Sequence, residues 1–256
     1  MRIAMGVACV LGVLLLGLGG VQGRKRSQKR RCFVLYDLKK NRWHHISNLQ
    51  ECQQPLPPCS TFKIPHTLLA LQTGKATTHT RFRWDGKKRF LKRWNRDHNL
   101  ASAMNDSVVW VYQRIARKIG RPAMKAWLKK LKYGNQEVKG PLHRFWLKEG
   151  ALKITAMQQI HFLRKLLKNR LPLRRKVMKT GRSLVPAIRG KGWVVRGKTG
   201  SLLSRGKLRL GWYVGWVTSS KGRFVFASHL RAPGGAWGSR ARRYTMKRLK
   251  ALKLLH

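Results

Sequence analysis

Ser60 and Lys63 bound the tetrapeptide Ser60-Thr61-Phe62-Lys63. The run before it, Gln54-Pro55-Leu56-Pro57-Pro58-Cys59, cannot be helical. The run after it, Ile64 to Gly74, is mostly apolar and ends in a glycine stop. The pattern predicts loop, helix start, buried helix. One helical turn puts Ser60 and Lys63 on the same face. A hydroxyl beside an amine in apolar surroundings is a nucleophile beside a base. The Ser60 N–H also points free at the helix N-terminus, where negative charge is favoured. An N-cap serine with a solvated lysine is the other reading, because Ser-x-x-Lys recurs by chance when Lys and Arg make up 58 of 256 residues.

Four further stretches carry candidate chemistry: Ser107-Val108-Val109, Tyr133-Gly134-Asn135, Phe145-Trp146-Leu147 and Lys198-Thr199-Gly200. Singly, each has a structural explanation. Ser107 can be a helical serine bonded back to a carbonyl. Tyr-Gly-Asn is a common turn, and Trp146 suits a core. The nine histidines form no cluster with metal-ligand spacing, and no metal is expected.

The elements that must position these residues follow from periodicity. Cys32 to Asp37 and Trp43 to Ile46 read as a hairpin around the turn Lys39 to Arg42. Lys75 to about Arg170 is mainly helical, with one helix from Leu100 to Ile119, a short one from Met124 to Leu131 and another from Thr155 to Leu167. Trp193 to Arg196, Leu208 to Val217 and Arg223 to Leu230 read as antiparallel strands. Thr245 to Leu254 reads as a closing helix. The expected fold is α+β: a central antiparallel β-sheet flanked by helices, with an inserted all-helical lobe. A mixed lobe would take about 24–75 and 176–256, and the helical lobe about 76–175.

Met1-Arg2 followed by the apolar run Ile3 to Leu18 resembles a secretory signal peptide, with cleavage expected near Gly23. Residues 24–256 would then form one exported, periplasmic domain. Export permits disulfides. Cys52 and Cys59 bracket the proline loop and are the favoured pair. Cys32 with either of them is the other arrangement, and three small hydrophobic residues is the plainest one. The 58 cations face only 7 Asp and Glu, a formal net charge of +51. Most cations must sit solvated, and polyanions such as nucleic acid or lipopolysaccharide are expected to bind without specificity.

Ser-x-x-Lys, then Ser-x-Val, then Lys-Thr-Gly is the order seen in penicillin-recognising serine enzymes. Cys59 to Gly74, Trp84-Asp85-Gly86-Lys87, Leu100 to Met104, Ser107 to Tyr112, Tyr133 to Gln136, Phe145-Trp146-Leu147, Arg196 to Gly200 and Gly211 to Val217 together resemble the class D β-lactamases, the oxacillinases. The resemblance implies that Ser60 is acylated by the lactam carbonyl. It implies that Lys63, N-carboxylated by carbon dioxide, is the general base, with the indole N–H of Trp146 holding a carbamate oxygen. Ser107 would relay a proton to the lactam nitrogen, Lys198 would keep the site positive, and Thr199 would bind the substrate carboxylate. Val109, Tyr133, Gly200 and Ser201 would line the substrate site, and the backbone N–H groups of Ser60 and Ser201 would form the oxyanion hole. No cofactor beyond carbon dioxide or bicarbonate is implied, and the partners would be β-lactam antibiotics, bound by a monomer or a homodimer. Family members carry an arginine before the last helix. Here Ala241 occupies that place, and Arg240 or Arg242 would substitute. Glu149 is a rival base, by analogy with class A relatives. The competing functions are a penicillin-binding domain that is acylated without turnover, and a polycationic binding protein on this scaffold.

Overall fold

In a computed structural model, residues 30–147 and 150–255 are described. The expected signal peptide and Glu149 lie outside the described residues. Six strands form one antiparallel sheet in the order β2-β1-β6-β5-β4-β3. Strands β1 (Arg30–Asp37) and β2 (Arg42–Ile46) are the early hairpin. Strands β3 (Ala187–Gly190), β4 (Trp193–Ser204), β5 (Lys207–Ser219) and β6 (Gly222–Arg231) come from the chain's second half. The sheet closes by pairing β1 with β6, so both chain ends share one sheet, and the central strands are hidden on both faces. On one face Phe33, Leu35, Tyr213 and Phe226 pack with Ala241 and Leu249 of the last helix. Val34, Tyr36, Trp212 and Val225 point to the opposite face and join the main core. That double burial is why β1 reads as a continuous apolar run rather than an alternating one.

Eight α-helices accompany the sheet among the described residues. After the short α1 (Leu49–Cys52) comes a 3-10 turn, Cys59–Phe62, running directly into α2 (Lys63–Gln72). Every residue of α2 from Lys63 to Ala70 is buried, as expected of a helix at the centre of a core. Pro65 fits there because the first turn of a helix has no partner for its N–H groups.

The expected single helix Leu100 to Ile119 is broken. It forms α3 (Leu100–Asn105) and α4 (Val109–Ile119), with Ser107 between them at φ +58°. The apolar spacing continues across the break, so periodicity alone hides it. Gly120 at φ +80° ends α4 and opens α5 (Arg121–Leu131). Helix α6 (Ala156–Leu167) has Thr155 as its cap, with a reciprocal bond between Thr155 and Gln158. It packs against β1 and β6. Helix α7 (Arg175–Ser183), which the sequence reading passed over, packs on α2, where Gly181 lies against Leu68. Helix α8 (Gly238–Ala251) starts earlier than expected and packs on β4, β5 and β6.

The disulfide expectation is corrected. Cys32 of β1 is bonded to Cys52 of α1, while Cys59 is a free, buried thiol. Burial pushes the Cys59 thiol up to about 12, so it is inert at neutral pH. Packing of α1 on β1 brings the first pair together. Cys59 is drawn away because its N–H donates to Trp146 O.

Candidate active site

The nucleophile turn is held from three directions. The Trp212 indole N–H donates to Pro57 O at 3.0 Å. Leu56 and Ile154 exchange backbone hydrogen bonds, and Cys59 N donates to Trp146 O at 3.0 Å. Strand β4 approaches so closely that a Cβ on Gly200 would lie 3.3 Å from Ser60 N and 3.1 Å from Pro58 O. The absence of a side chain at Gly200 lets the strand lie this close to the nucleophile turn. Ser201 is exposed on the same strand, and its hydroxyl accepts from Gly238 N at 2.9 Å, which ties α8 to the strand edge.

Ser60 is half-buried and so reachable from solvent. Lys63 Nζ donates to Ser60 Oγ at 2.8 Å. The Lys63 side chain is fully buried. Burial, then the nearby charge of Lys198, holds its amine well below the usual lysine value, so a neutral amine faces the serine hydroxyl. The ammonium position lies 5.3 Å from the centre of the Tyr112 ring, which joins α2 to α4. Trp146 is fully buried against Phe62 and His66, which flank Lys63 in the sequence, and its indole N–H has no protein partner. A buried donor left unmade costs on the order of 1–3 kcal/mol. A carboxylate-like group on Lys63 would satisfy it, since an indole N–H can only donate. The donor set at Lys63 therefore fits an N-carboxylated side chain.

Ser107 stands in the α3–α4 break, half-buried, with its hydroxyl free of protein partners, and Val109 opens α4 behind it. Lys198 is buried and donates to Thr199 O at 3.2 Å. Burial, then Arg93 and Arg242, lowers its amine to about 7. Lys198, Thr199 and Arg242 line one small cavity of about 100 Å³ with Asn105, Ile188 and Tyr213. Arg240 points elsewhere: it donates to Gly235 O at 2.9 Å and lines a different cavity. Of the two arginines named from the sequence, the fold thus brings Arg242 to Lys198. Ala241 between them is on the buried face of α8 and packs on the sheet.

Tyr133 is a correction. It is fully buried, and its hydroxyl bonds Gln159, whose amide in turn donates to Thr61 Oγ1 at 3.0 Å. It braces the nucleophile turn from behind and is out of reach of substrate. Asn135 does similar work: it binds Ala151 O and Lys153 N across the loop that carries Trp146. The sequence reading missed Arg93, Tyr213 and His66. Only pairing of β4 with β5, which sets Thr199 opposite Tyr213, makes the second visible. No group of three His, Cys, Asp or Glu suited to a metal ion occurs among the described residues.

Comparisons with known proteins agree with this geometry. Residues 31–250 match the penicillin binding protein transpeptidase domain. The chain is 37% identical over 224 residues to the probable β-lactamase YbxI of Bacillus subtilis, covering 87% of this chain and 81% of that protein. It superposes on the structure of the class D β-lactamase BAT-2 with a TM-score of 0.83 and 35% identity, covering 89% of this chain and 93% of that one. It is also 33% identical over 210 residues to the regulatory protein BlaR1 of Bacillus licheniformis, 82% of this chain but 34% of that protein. The chain belongs to the class D β-lactamases, serine hydrolases that act on the β-lactam ring, within the penicillin-binding transpeptidase-domain family.

Proposed function

We propose that this chain hydrolyses penicillin-type β-lactams through an acyl-enzyme on Ser60, with carboxylated Lys63 as the base in both half-reactions. The observation that carries the reading is the buried Lys63 amine 2.8 Å from Ser60 Oγ; the partnerless indole N–H of Trp146, packed on Phe62 and His66, agrees with it. When present, the carboxyl group on Lys63 supplies an anionic oxygen as general base, in a chain with few carboxylates of its own. Ser60 Oγ loses its proton towards the Lys63 side chain and attacks the lactam carbonyl. The backbone N–H groups of Ser60 and Ser201 take the developing oxyanion, at about 3 kcal/mol per donor. Ser107 passes a proton to the lactam nitrogen as the ring opens. Lys198, Thr199 and Arg242 hold the substrate carboxylate, supported by their common cavity. The same base then activates water against the Ser60 ester.

The wider reading is that expression confers β-lactam resistance and that the N-terminal segment directs export to the periplasm. Among the described residues no helix is long and apolar enough to cross a membrane. A second reading, acylation without turnover, is favoured by the likeness to a regulatory protein.

Hydrolysis of a chromogenic cephalosporin, with and without added bicarbonate, separates these. Turnover that rises with bicarbonate and vanishes in Ser60→Ala supports the hydrolase. One stoichiometric burst supports the second reading, and absence of acylation overturns both.

A further inference from the structure

His66 lies one turn beyond Lys63 on α2 and is fully buried. Its ring meets the Trp146 ring edge-on at 4.5 Å and stacks on Tyr112 at 5.8 Å. Phe62 and Phe145 complete its surroundings. Both ring nitrogens lack a protein partner, as does Trp146 Nε1. Three unpartnered buried nitrogens therefore gather on two touching rings, one of which lies near enough to Lys63 to feel its charge. Unpartnered buried donors cost stability, so this concentration calls for a ligand or a modification.

The neighbours narrow the choice. Phe62 and Phe145 carry no polar atom. The Tyr112 hydroxyl is engaged with Thr67 Oγ1 at 2.9 Å. Burial, then the charge of Lys63, holds the imidazole well below its usual value. A neutral imidazole keeps one N–H and one lone pair. In this pocket the donors left over are the Trp146 indole N–H and that one imidazole N–H. A carboxylated amine presents two acceptor oxygens and keeps a single N–H.

We infer that His66 is a positioning residue for the base: its ring N–H donates to the carboxylated side chain of Lys63 and, with Trp146 Nε1, holds the two oxygens. The inference rests on the proposed carboxylation of Lys63. In that modification Lys63 Nζ shares its lone pair with the carbon of carbon dioxide. One C=O electron pair moves onto oxygen, and Nζ releases a proton to water reaching the site past Ser60. His66 acts after that bond forms, by stabilising the charge on oxygen and slowing the reverse reaction.

The test is carbon NMR of the folded protein titrated with isotope-labelled bicarbonate, which reads the modified lysine directly. Wild type is expected to show a saturable signal that Lys63→Ala abolishes. His66→Phe and His66→Leu keep an apolar side chain without a donor. Both should need about tenfold more bicarbonate for half-saturation, the loss expected for one buried hydrogen bond to a charged group. His66→Asn restores a donor and should recover most of the difference. Thermal melting identifies any variant that fails to fold, and the remaining ones decide the outcome. An unchanged half-saturation in the folded donor-free variants overturns the role of His66. No signal in wild type overturns the carboxylation itself, and the His66 proposal with it.

Discussion

Burial and two nearby arginines leave the charge of Lys198 open to change near neutrality. Its folded value of about 7 lies below the ordinary value of 10.5 because it is buried and faces Arg93 and Arg242. The unfolded chain binds the extra proton between those two values, so folding stability from this group rises with pH across that window. The penalty is full below pH 7 and fades towards pH 10.5. Lys198→Met is therefore expected to melt higher than wild type at pH 6, with the gap closing as pH rises. A gap that stays constant across melting curves at several pH values would show that Lys198 is not the source. Ser107 makes a second residue-scale case. Its φ of +58° is costly for a residue with a Cβ. Ser107→Gly should match or exceed wild-type stability by up to about 1 kcal/mol, while losing turnover by on the order of 100-fold through loss of the hydroxyl. Urea unfolding and steady-state kinetics on the same preparation test both halves.

At the scale of elements, the site depends on a few ties between segments distant in the chain. The Cys32–Cys52 bond, with a sequence separation of 20, fixes α1 to the sheet. Closing a loop of that size is worth about 3 kcal/mol in the chain-entropy account. Cys32→Ala with Cys52→Ala should lower unfolding free energy by about that amount, and Cys59→Ala should leave the oxidised bond in place, as a thiol assay under denaturing conditions will show. Glu51 adds a second tie: its carboxylate takes a two-pronged bond from Arg231 of β6 at 2.6 and 2.7 Å. Glu51 is buried. Glu51→Gln removes the charge from a pair whose arginine is partly exposed and should cost about 1–3 kcal/mol by urea unfolding. A cost under about 1 kcal/mol would mark the pair as solvated.

The whole molecule must fold against its own charge, +51 from 58 cations and 7 carboxylates. The described carboxylates are spread out: Asp85 pairs with Arg89, Asp97 with Arg81, Asp106 with Arg96 and Glu51 with Arg231. Such pairs offset few of the cations, and most of the remaining repulsion runs through water. Salt shortens its range from about 10 Å at 0.1 M to about 3 Å at 1 M. The melting temperature should therefore climb with sodium chloride, and binding to a polyanion such as heparin should weaken steeply over the same range. A melting temperature insensitive to salt would mean that the cations are compensated inside the fold.

The family was legible in the chain because covalent order carries its motifs. Ser60 and Lys63 share a face by helical spacing, and Ser107, Trp146 and Lys198 follow in a fixed order. The hairpins announced themselves through turn residues, and most helices through periodicity. Local sequence failed where a long-range contact overruled it. Cys59 is nearer to Cys52 in sequence, yet α1 packing on β1 chose Cys32. Helix α7 was passed over because it is short and its buried face rests on Val177, Met178 and Gly181 among basic residues, and the Ser107 break is invisible to spacing. Arg240 and Arg242 were equivalent in the chain until helix α8 turned one towards Lys198. Tyr133 resembled a site residue until the core closed around it. Above all, the Lys63 amine is held below its ordinary value by burial, and burial belongs to no single stretch of sequence. It arises when α2 is enclosed on every side by elements from both halves of the chain.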